Sequence, residues 1–274
     1  MNILQDKDSL KKKIPNSRSK LASVLQASKD FVSIDTTMKA LGIKRSEAAR
    51  VLVRWANQGL IKRIKNGIYV PVSLASFGAE QVIEDPWLLV PEIFSPGYIG
   101  GWSAAEHWGL TEQLFRGICV LTSKPIRKRN NNLQGISFVV KQIDAKKLFG
   151  LKPVWRSQTK VLVSSPSRTL VDMLDDPSLG GGIRHVYECL NRFLKERNKE
   201  QREIIDQAKQ FDNGAIFKRL GFLLSLIPGN EELSEECAKY ITEGIAKLDP
   251  SLKCDRLITK WHLWVPKNWK EGIK

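Results

Sequence analysis

The chain has 274 residues, enough for two domains of roughly 100–200 residues each. Hydrophobic residues make up 42% and charged residues 27%, an ordinary globular balance, and no apolar run approaches the roughly 18 residues that a membrane helix needs. The net charge of +15 is unevenly placed: residues 1–75 hold 15 Lys and Arg against 5 Asp and Glu, whereas the other 199 hold 29 against 24. A threefold excess confined to one module-sized segment points to a polyanionic partner for that segment.

The first residues, Met1-Asn2-Ile3-Leu4-Gln5-Asp6-Lys7-Asp8, lack the cationic and apolar blocks of a signal peptide, so a cytoplasmic location is expected. Ser17 is a candidate cap for a first helix whose inner face carries Leu21, Val24, Leu25 and Ser28. Phe31-Val32 gives a short extended link. Ser33 or Asp35 can then cap a second helix, with Thr37, Met38 and Leu41 turned inward and Gly42 as its stop. After a tight turn through Ser46, residues 46–58 repeat apolar positions at Ala48, Ala49, Leu52, Val53 and Ala56. The opposite face and approach of this helix carry Lys44, Arg45, Ser46, Glu47, Arg50, Arg54 and Asn57. Such residue types reach phosphates and base edges in a major groove.

The next stretch, Gly59-Leu60-Ile61-Lys62-Arg63-Ile64-Lys65-Asn66-Gly67-Ile68-Tyr69-Val70, reads as strand, turn, strand. Asn-Gly favours a type I′ turn with positive φ at both residues. The hairpin would present Lys62, Arg63, Lys65 and Asn66 beside the basic helix. Together these signals predict a winged helix-turn-helix within residues 1–75 that binds double-stranded DNA.

Residues 71–84 read as a connector, and residues 85–274 as a larger second domain of mixed α/β character, making the chain α+β as a whole. Tyr98-Ile99-Gly100-Gly101 leads into a short helix capped by Ser103 and closed by Gly109. Gly117-Ile118-Cys119-Val120-Leu121-Thr122 and Ile136-Ser137-Phe138-Val139-Val140-Lys141 read as strands. The connection between them holds a second basic cluster, Lys124, Arg127, Lys128 and Arg129, which either contacts nucleic acid or an acidic partner or only solvates a hairpin. A strand at Val161-Leu162-Val163 precedes a helix at Ser167-Arg168-Thr169-Leu170-Val171-Asp172-Met173-Leu174. Helical patterns follow near 182–196, 199–211, 215–226 and 233–248, and residues 257–265 read as a final strand.

No chemistry announces itself in that region. The four cysteines, Cys119, Cys189, Cys237 and Cys254, and the three histidines, His107, His185 and His262, are too scattered for metal-ligand spacing. Glu106 and His107 are adjacent on a helix and so point about 100° apart. The sequence holds no phosphate-binding loop, dinucleotide fingerprint or nucleophile elbow, so neither a cofactor nor a catalytic residue is expected.

Five blocks resemble the AbiEi antitoxins of abortive-infection toxin–antitoxin systems. They are the N-terminal module ending in Gly67-Ile68-Tyr69; Tyr98-Ile99-Gly100-Gly101-Trp102-Ser103-Ala104 with Gly109-Leu110-Thr111-Glu112-Gln113; Ser165-Pro166-Ser167-Arg168-Thr169-Leu170-Val171-Asp172; Lys218-Arg219-Leu220-Gly221-Phe222-Leu223-Leu224; and Trp261-His262-Leu263-Trp264-Val265. The resemblance implies a type IV antitoxin that represses its own operon through inverted repeats. It also implies neutralisation of a nucleotidyltransferase-like toxin without a stable complex, in phage defence. Two alternatives stand beside it. One is a nucleic-acid-processing enzyme with acids among Glu106, Asp172 and Asp175, and the other is a ligand-sensing regulator.

Overall fold

The computed structural model describes residues 16–28, 30–72, 85–197 and 200–269; of the connector expected at 71–84 only residues 71 and 72 lie within them, and Pro71 belongs to a strand instead. The chain divides into two compact units, residues 1–85 with 156–159 and residues 86–155 with 160–274. Helices and strands mix in both, and the fold is α+β.

In the first unit, helix α1 (Asn16–Ala27) begins one residue before the expected cap, so Ser17 lies inside it. Strand β1 (Val32–Ser33) leads into α2 (Ile34–Leu41), where the Ser33 hydroxyl accepts the Thr36 N–H at 3.0 Å and Gly42 closes the helix in the left-handed region. Helix α3 (Arg45–Asn57) follows the turn and begins at Arg45, one residue before the Ser46 expected to open it. The hairpin is β2 (Ile61–Lys65) and β3 (Ile68–Pro71), and β1 adds to it antiparallel through Val32 opposite Tyr69, giving the order β1-β3-β2. The core is Val24, Val32, Leu52, Trp55, Ile61 and Tyr69, with Leu21, Leu25 and Leu41 packed against it. Each such side chain stabilises the unit by about 1.5–3 kcal/mol on burial.

Two sequence expectations fail here. Val53, expected inside, is 46% exposed, and Trp55 is buried at 2% instead. Ala48, Leu52 and Trp55 share one face at spacings of four and three residues, and Val53 lies roughly 160° from Trp55 around the helix. The Asn66-Gly67 turn is not type I′, because Gly67 has φ 81 while Asn66 keeps a negative φ. The register instead shifts between Arg63 and Lys65, a bulge that supplies twist which a primed turn would otherwise provide. Gly67 is required twice over, since a β-carbon there would also sit 3.1 Å from Ile34 Cδ1.

The second unit is built on a six-stranded mixed sheet. In chain order it contains α4 (Leu89–Phe94), β4 (Gly97–Ile99), α5 (Gly101–His107), β5 (Gly117–Thr122), β6 (Asn130–Leu133), β7 (Ile136–Gln142), β8 (Leu151–Arg156) and β9 (Thr159–Ser164). The sheet order is β6-β7-β5-β4-β9-β8. Strands β5 and β7, expected as neighbours joined by a basic connection, do pair, but in parallel, and the hairpin is β6-β7. Its turn, Gln134-Gly135, has φ 53 and 83, so the type I′ geometry expected at Asn66-Gly67 is found here. Strand β6 escaped the sequence reading because Asn130-Asn131-Asn132 has no strand propensity of its own and is held by main-chain pairing to β7.

A helical layer completes the unit: α6 (Pro166–Asp175), α7 (Ile183–Glu196), α8 (Glu203–Phe211), α9 (Gly214–Leu224) and α10 (Glu231–Ala238). Ser165 caps α6 through the Arg168 N–H, and Pro166 fits the first turn, where no amide donor is needed. Residues 166–174 of α6 are all buried, because the helix packs against α5, α7, α8 and α9. Ser103 does not cap α5 but lies within it, and its hydroxyl accepts the Cys119 N–H at 2.9 Å. Helix α8 starts at Glu203 rather than 199, and α10 stops at Ala238 rather than 248, ahead of Ile241-Thr242 and Gly244, which disfavour helix. The expected final strand is broken into β11 (Arg256–Ile258) and β12 (Leu263–Val265) by a 3-10 turn at Thr259–Trp261, and β10 (Ala246–Lys247) pairs in parallel with β12. That break carries Trp261 into the core against Gly221, where any β-carbon would overlap its ring.

Candidate nucleic-acid interface

The burial of Ala48, Leu52 and Trp55 fixes which side of α3 faces outward. At 100° per residue, Ser46, Arg50, Val53 and Asn57 lie within about 60° of one another opposite that core, with Arg54 and Glu47 flanking them. All six are exposed. Arg50 Nε donates to the Ser46 carbonyl at 3.4 Å, which lays its guanidinium back along the helix surface. Lys44, at the head of α3, offers no side-chain cap, and one acid, Glu47, lies in the first turn near the positive end of the helix dipole. Arg45 pairs with Asp35 at 2.7 Å, both more than two-thirds exposed, a surface contact of the kind worth roughly 0–1 kcal/mol.

On the hairpin, Arg63, Lys65 and Asn66 are exposed and Lys62 is half-buried. Arg63 donates to the Asn66 side-chain carbonyl across the turn. Alternation alone would point Lys62 and Ile64 the same way. The bulge breaks that phase, so Ile61 and Ile64 both face the core and the basic side chains stay outside. Thus nine of the ten residues expected to contact DNA are exposed, and Lys62 is partly so.

The second basic cluster divides. Lys124, Arg127 and Lys128 are exposed, and Lys124 Nζ donates to the Ile93 carbonyl at 3.4 Å. Arg129 is tied down, with 3.0 Å to Asp176 and 2.6 Å to the Ser178 hydroxyl, while Lys141 holds Asp175 at 2.5 Å. The Ser178 hydrogen bond, Lys141 and Arg129 together hold the Asp176 carboxyl below the usual carboxylate range, against the opposing effect of burial.

The three candidate acids do not form one site. Glu106 is exposed on α5 and Asp175 is engaged by Lys141 and Asn213. Asp172 is wholly buried, accepting from Arg168 Nε and the Tyr98 hydroxyl, each at 3.0 Å. Arg168 also donates to the Phe149 carbonyl and to Tyr98, and its guanidinium lies 4.2 Å from the centre of the Phe149 ring and 4.7 Å from that of Phe211. Burial raises the Asp172 carboxyl above its ordinary range, with Arg168 pulling against it. Both partners are fully buried, and Asp172 Oδ2 has no hydrogen-bond partner among the described residues.

Cys189 lies 3.7 Å from His185, but the imidazole is held by Thr111 and the Gly180 carbonyl, and burial pushes the Cys189 thiol up to about 12, far from a nucleophilic thiolate. Among the described residues no cluster of three His, Cys, Asp or Glu could hold a metal ion, and no helix is long and apolar enough to cross a membrane. A hollow of about 350 Å³ opens between α4, β4, Leu148, Leu151 and Leu162. Its lining is largely apolar.

No family model matches the chain, and no curated protein does. Among solved structures it is similar to the crystal structure of the RV2827C protein from Mycobacterium tuberculosis, with a TM-score of 0.59 over 92% of each chain at 15% identity. A likeness at that identity is one of fold.

Two features escaped the sequence reading. Val53 reads as core because it continues the spacing of Ala49 and Ala56, whereas Trp55 continues that of Ala48 and Leu52, and only packing against Val24, Ile61 and Tyr69 chooses between the two faces. The Arg168–Asp172 pair has the i,i+4 spacing of a surface salt bridge, and its burial follows from Tyr98, 74 residues away from Asp172.

Proposed function

We propose that this chain is a DNA-binding transcriptional repressor and antitoxin that acts in the cytoplasm without enzymatic activity. In this reading residues 16–72 are a winged helix-turn-helix, α3 enters the major groove, and the β2-β3 hairpin is the wing. The observation that carries it is the outward face of α3: exposed arginines, a serine and an asparagine directly opposite a well-packed core, in a segment with a threefold excess of basic residues. The order of three helices and a hairpin, and the uncapped start of α3, support it further, since free N–H groups at a helix start suit a phosphate.

The target is double-stranded DNA carrying inverted repeats at the chain's own toxin–antitoxin promoter. Residues 86–274 then oppose a nucleotidyltransferase-like toxin without a stable complex. That half rests on the resemblance to AbiEi antitoxins. A footprint over the upstream region tests the repressor, which fails if no repeat is protected and unrelated DNA binds equally well. Co-expression with a neighbouring nucleotidyltransferase-like gene tests the antitoxin, which fails if growth is not restored. Cleavage of DNA or RNA by the full chain with a divalent metal would overturn the non-enzymatic assignment.

A further inference from the structure

Val53 is the one large apolar side chain of the first unit that stands exposed, among the described residues. Its position is specific. On α3 it lies along the axis between Arg50 and Asn57, at the edge of the outward face next to Ser46, about 160° around the helix from Trp55 and about 100° from Leu52. Burying Val53 in place of a neighbour would be the ordinary way to stabilise a small unit, and this fold instead leaves it in water beside hydrogen-bonding side chains. In the major groove only one base-pair feature is apolar, the C5-methyl group of thymine, whereas arginine suits guanine O6/N7 and asparagine suits adenine N6/N7.

We infer that Val53 is a specificity-determining residue that seats the methyl group of a thymine, inside a short sequence read by Arg50 and Asn57. The inference rests on the DNA-binding reading above and deepens it. Each half of the target carries one thymine whose methyl contributes to affinity, flanked by bases offering major-groove acceptors to Arg50 and an adenine edge to Asn57. No base contact depends on the hairpin, whose charged side chains act on phosphates.

The probe is a duplex selected from a random library by the full chain, with each thymine then replaced singly by deoxyuridine, which removes only the methyl group. At fixed salt, replacing that thymine in one half-site weakens binding by the wild type about fourfold, the factor that loss of one buried methyl produces at ~0.8 kcal/mol. Val53→Ala binds the thymine and uracil duplexes alike, and Val53→Thr, which keeps a methyl in nearly the same place, restores part of the preference. Unchanged melting temperatures show that the variants fold. If selection yields no consensus, the DNA-binding reading itself falls. If a consensus appears but no thymine shows a methyl effect that depends on Val53, DNA binding stands and this inference is overturned. Sedimentation of Val53→Ser gives a separate check, since loss of a dimer seen with the wild type would make Val53 a protein contact and overturn it too.

Discussion

Arg50 and Arg54 stand in water on the outer face of α3, whereas Arg168 and Arg219 lie inside the second unit with three hydrogen bonds each. Arg168 binds Asp172, Tyr98 and the Phe149 carbonyl; Arg219 binds the carbonyls of Leu174, Asp175 and Lys247, so it closes the C-terminal end of α6. Lys218, next to it, is buried as well and donates to the Gly244 carbonyl. The same residue types thus do two jobs. Exposed and loosely held, they keep a hydration shell that a phosphate can replace; buried and hydrogen-bonded, they fix one arrangement of helices at the cost of desolvation. Net charge alone would count both as binding groups, and burial separates them.

The largest expected effect breaks the buried arrangement. Asp172→Ala leaves Arg168 charged, dry and short of its carboxylate, and should cost about 3–5 kcal/mol in urea unfolding, whereas Arg54→Ala should change stability by less than about 0.5 kcal/mol. Replacing both partners, Arg168→Met with Asp172→Leu, should recover much of the loss, because no uncompensated charge remains. If Asp172→Ala unfolds at the wild-type midpoint, the network does not hold the second unit together. Next in size is Gly221→Ala, whose methyl group meets the Trp261 ring and should cost about 1–3 kcal/mol, with a change in tryptophan fluorescence as the ring is pushed aside.

Both variants fall where sequence blocks far apart in the chain meet. Tyr98 in one block meets Arg168 and Asp172 in another, and Gly221 in a third lies under Trp261 in a fourth. The blocks are packing contacts between distant segments, so their residue types were readable but their purpose was not. Local rules were legible: Ser33 as a cap, Gly42 as a stop and Gly67 in the turn all follow from neighbouring residues. What depended on contacts far along the chain was not. Strand β6 exists because β7 pairs with it, Val53 is outside because Trp55 fills the space inside, and Asp172 reads as a possible catalytic acid until Tyr98 and Arg168 close over it. Of the interface, the residue list was readable from charge and spacing, and the apolar member at its edge came only with the helix phase.

The exposed class should respond to salt and not to denaturant. Arg54→Ala and Lys65→Ala should each lower the slope of log affinity against log salt by about one unit if each side chain neutralises one phosphate, with little change in which sequence is preferred. Arg50→Ala should do the reverse, relaxing preference at one base pair by about 1–3 kcal/mol of discrimination. Equal losses for all three across specific and random duplexes would show that α3 lies along the backbone and not in the groove.

The smallest effect lies between the two classes, at the half-exposed pair Arg129–Asp176. Because Asp176 is held below its ordinary pKa in the folded chain, the unfolded chain takes up a proton first as pH falls. The stability that Asp176 contributes is therefore complete above the unfolded value near 3.8 and is lost as pH drops through the lower folded value. Asp176→Asn keeps an oxygen to accept from the Ser178 N–H but carries no charge to attract Lys141 and Arg129. Its melting temperature should sit slightly below the wild type between pH 5 and 7, an effect under about 1 kcal/mol, and the two curves should converge below about pH 3. A constant offset at all pH values would mean that the side chain matters through its cap and not its charge. Arg129, itself exposed, would then be grouped with Lys124, Arg127 and Lys128 by exposure rather than with the bonded interior.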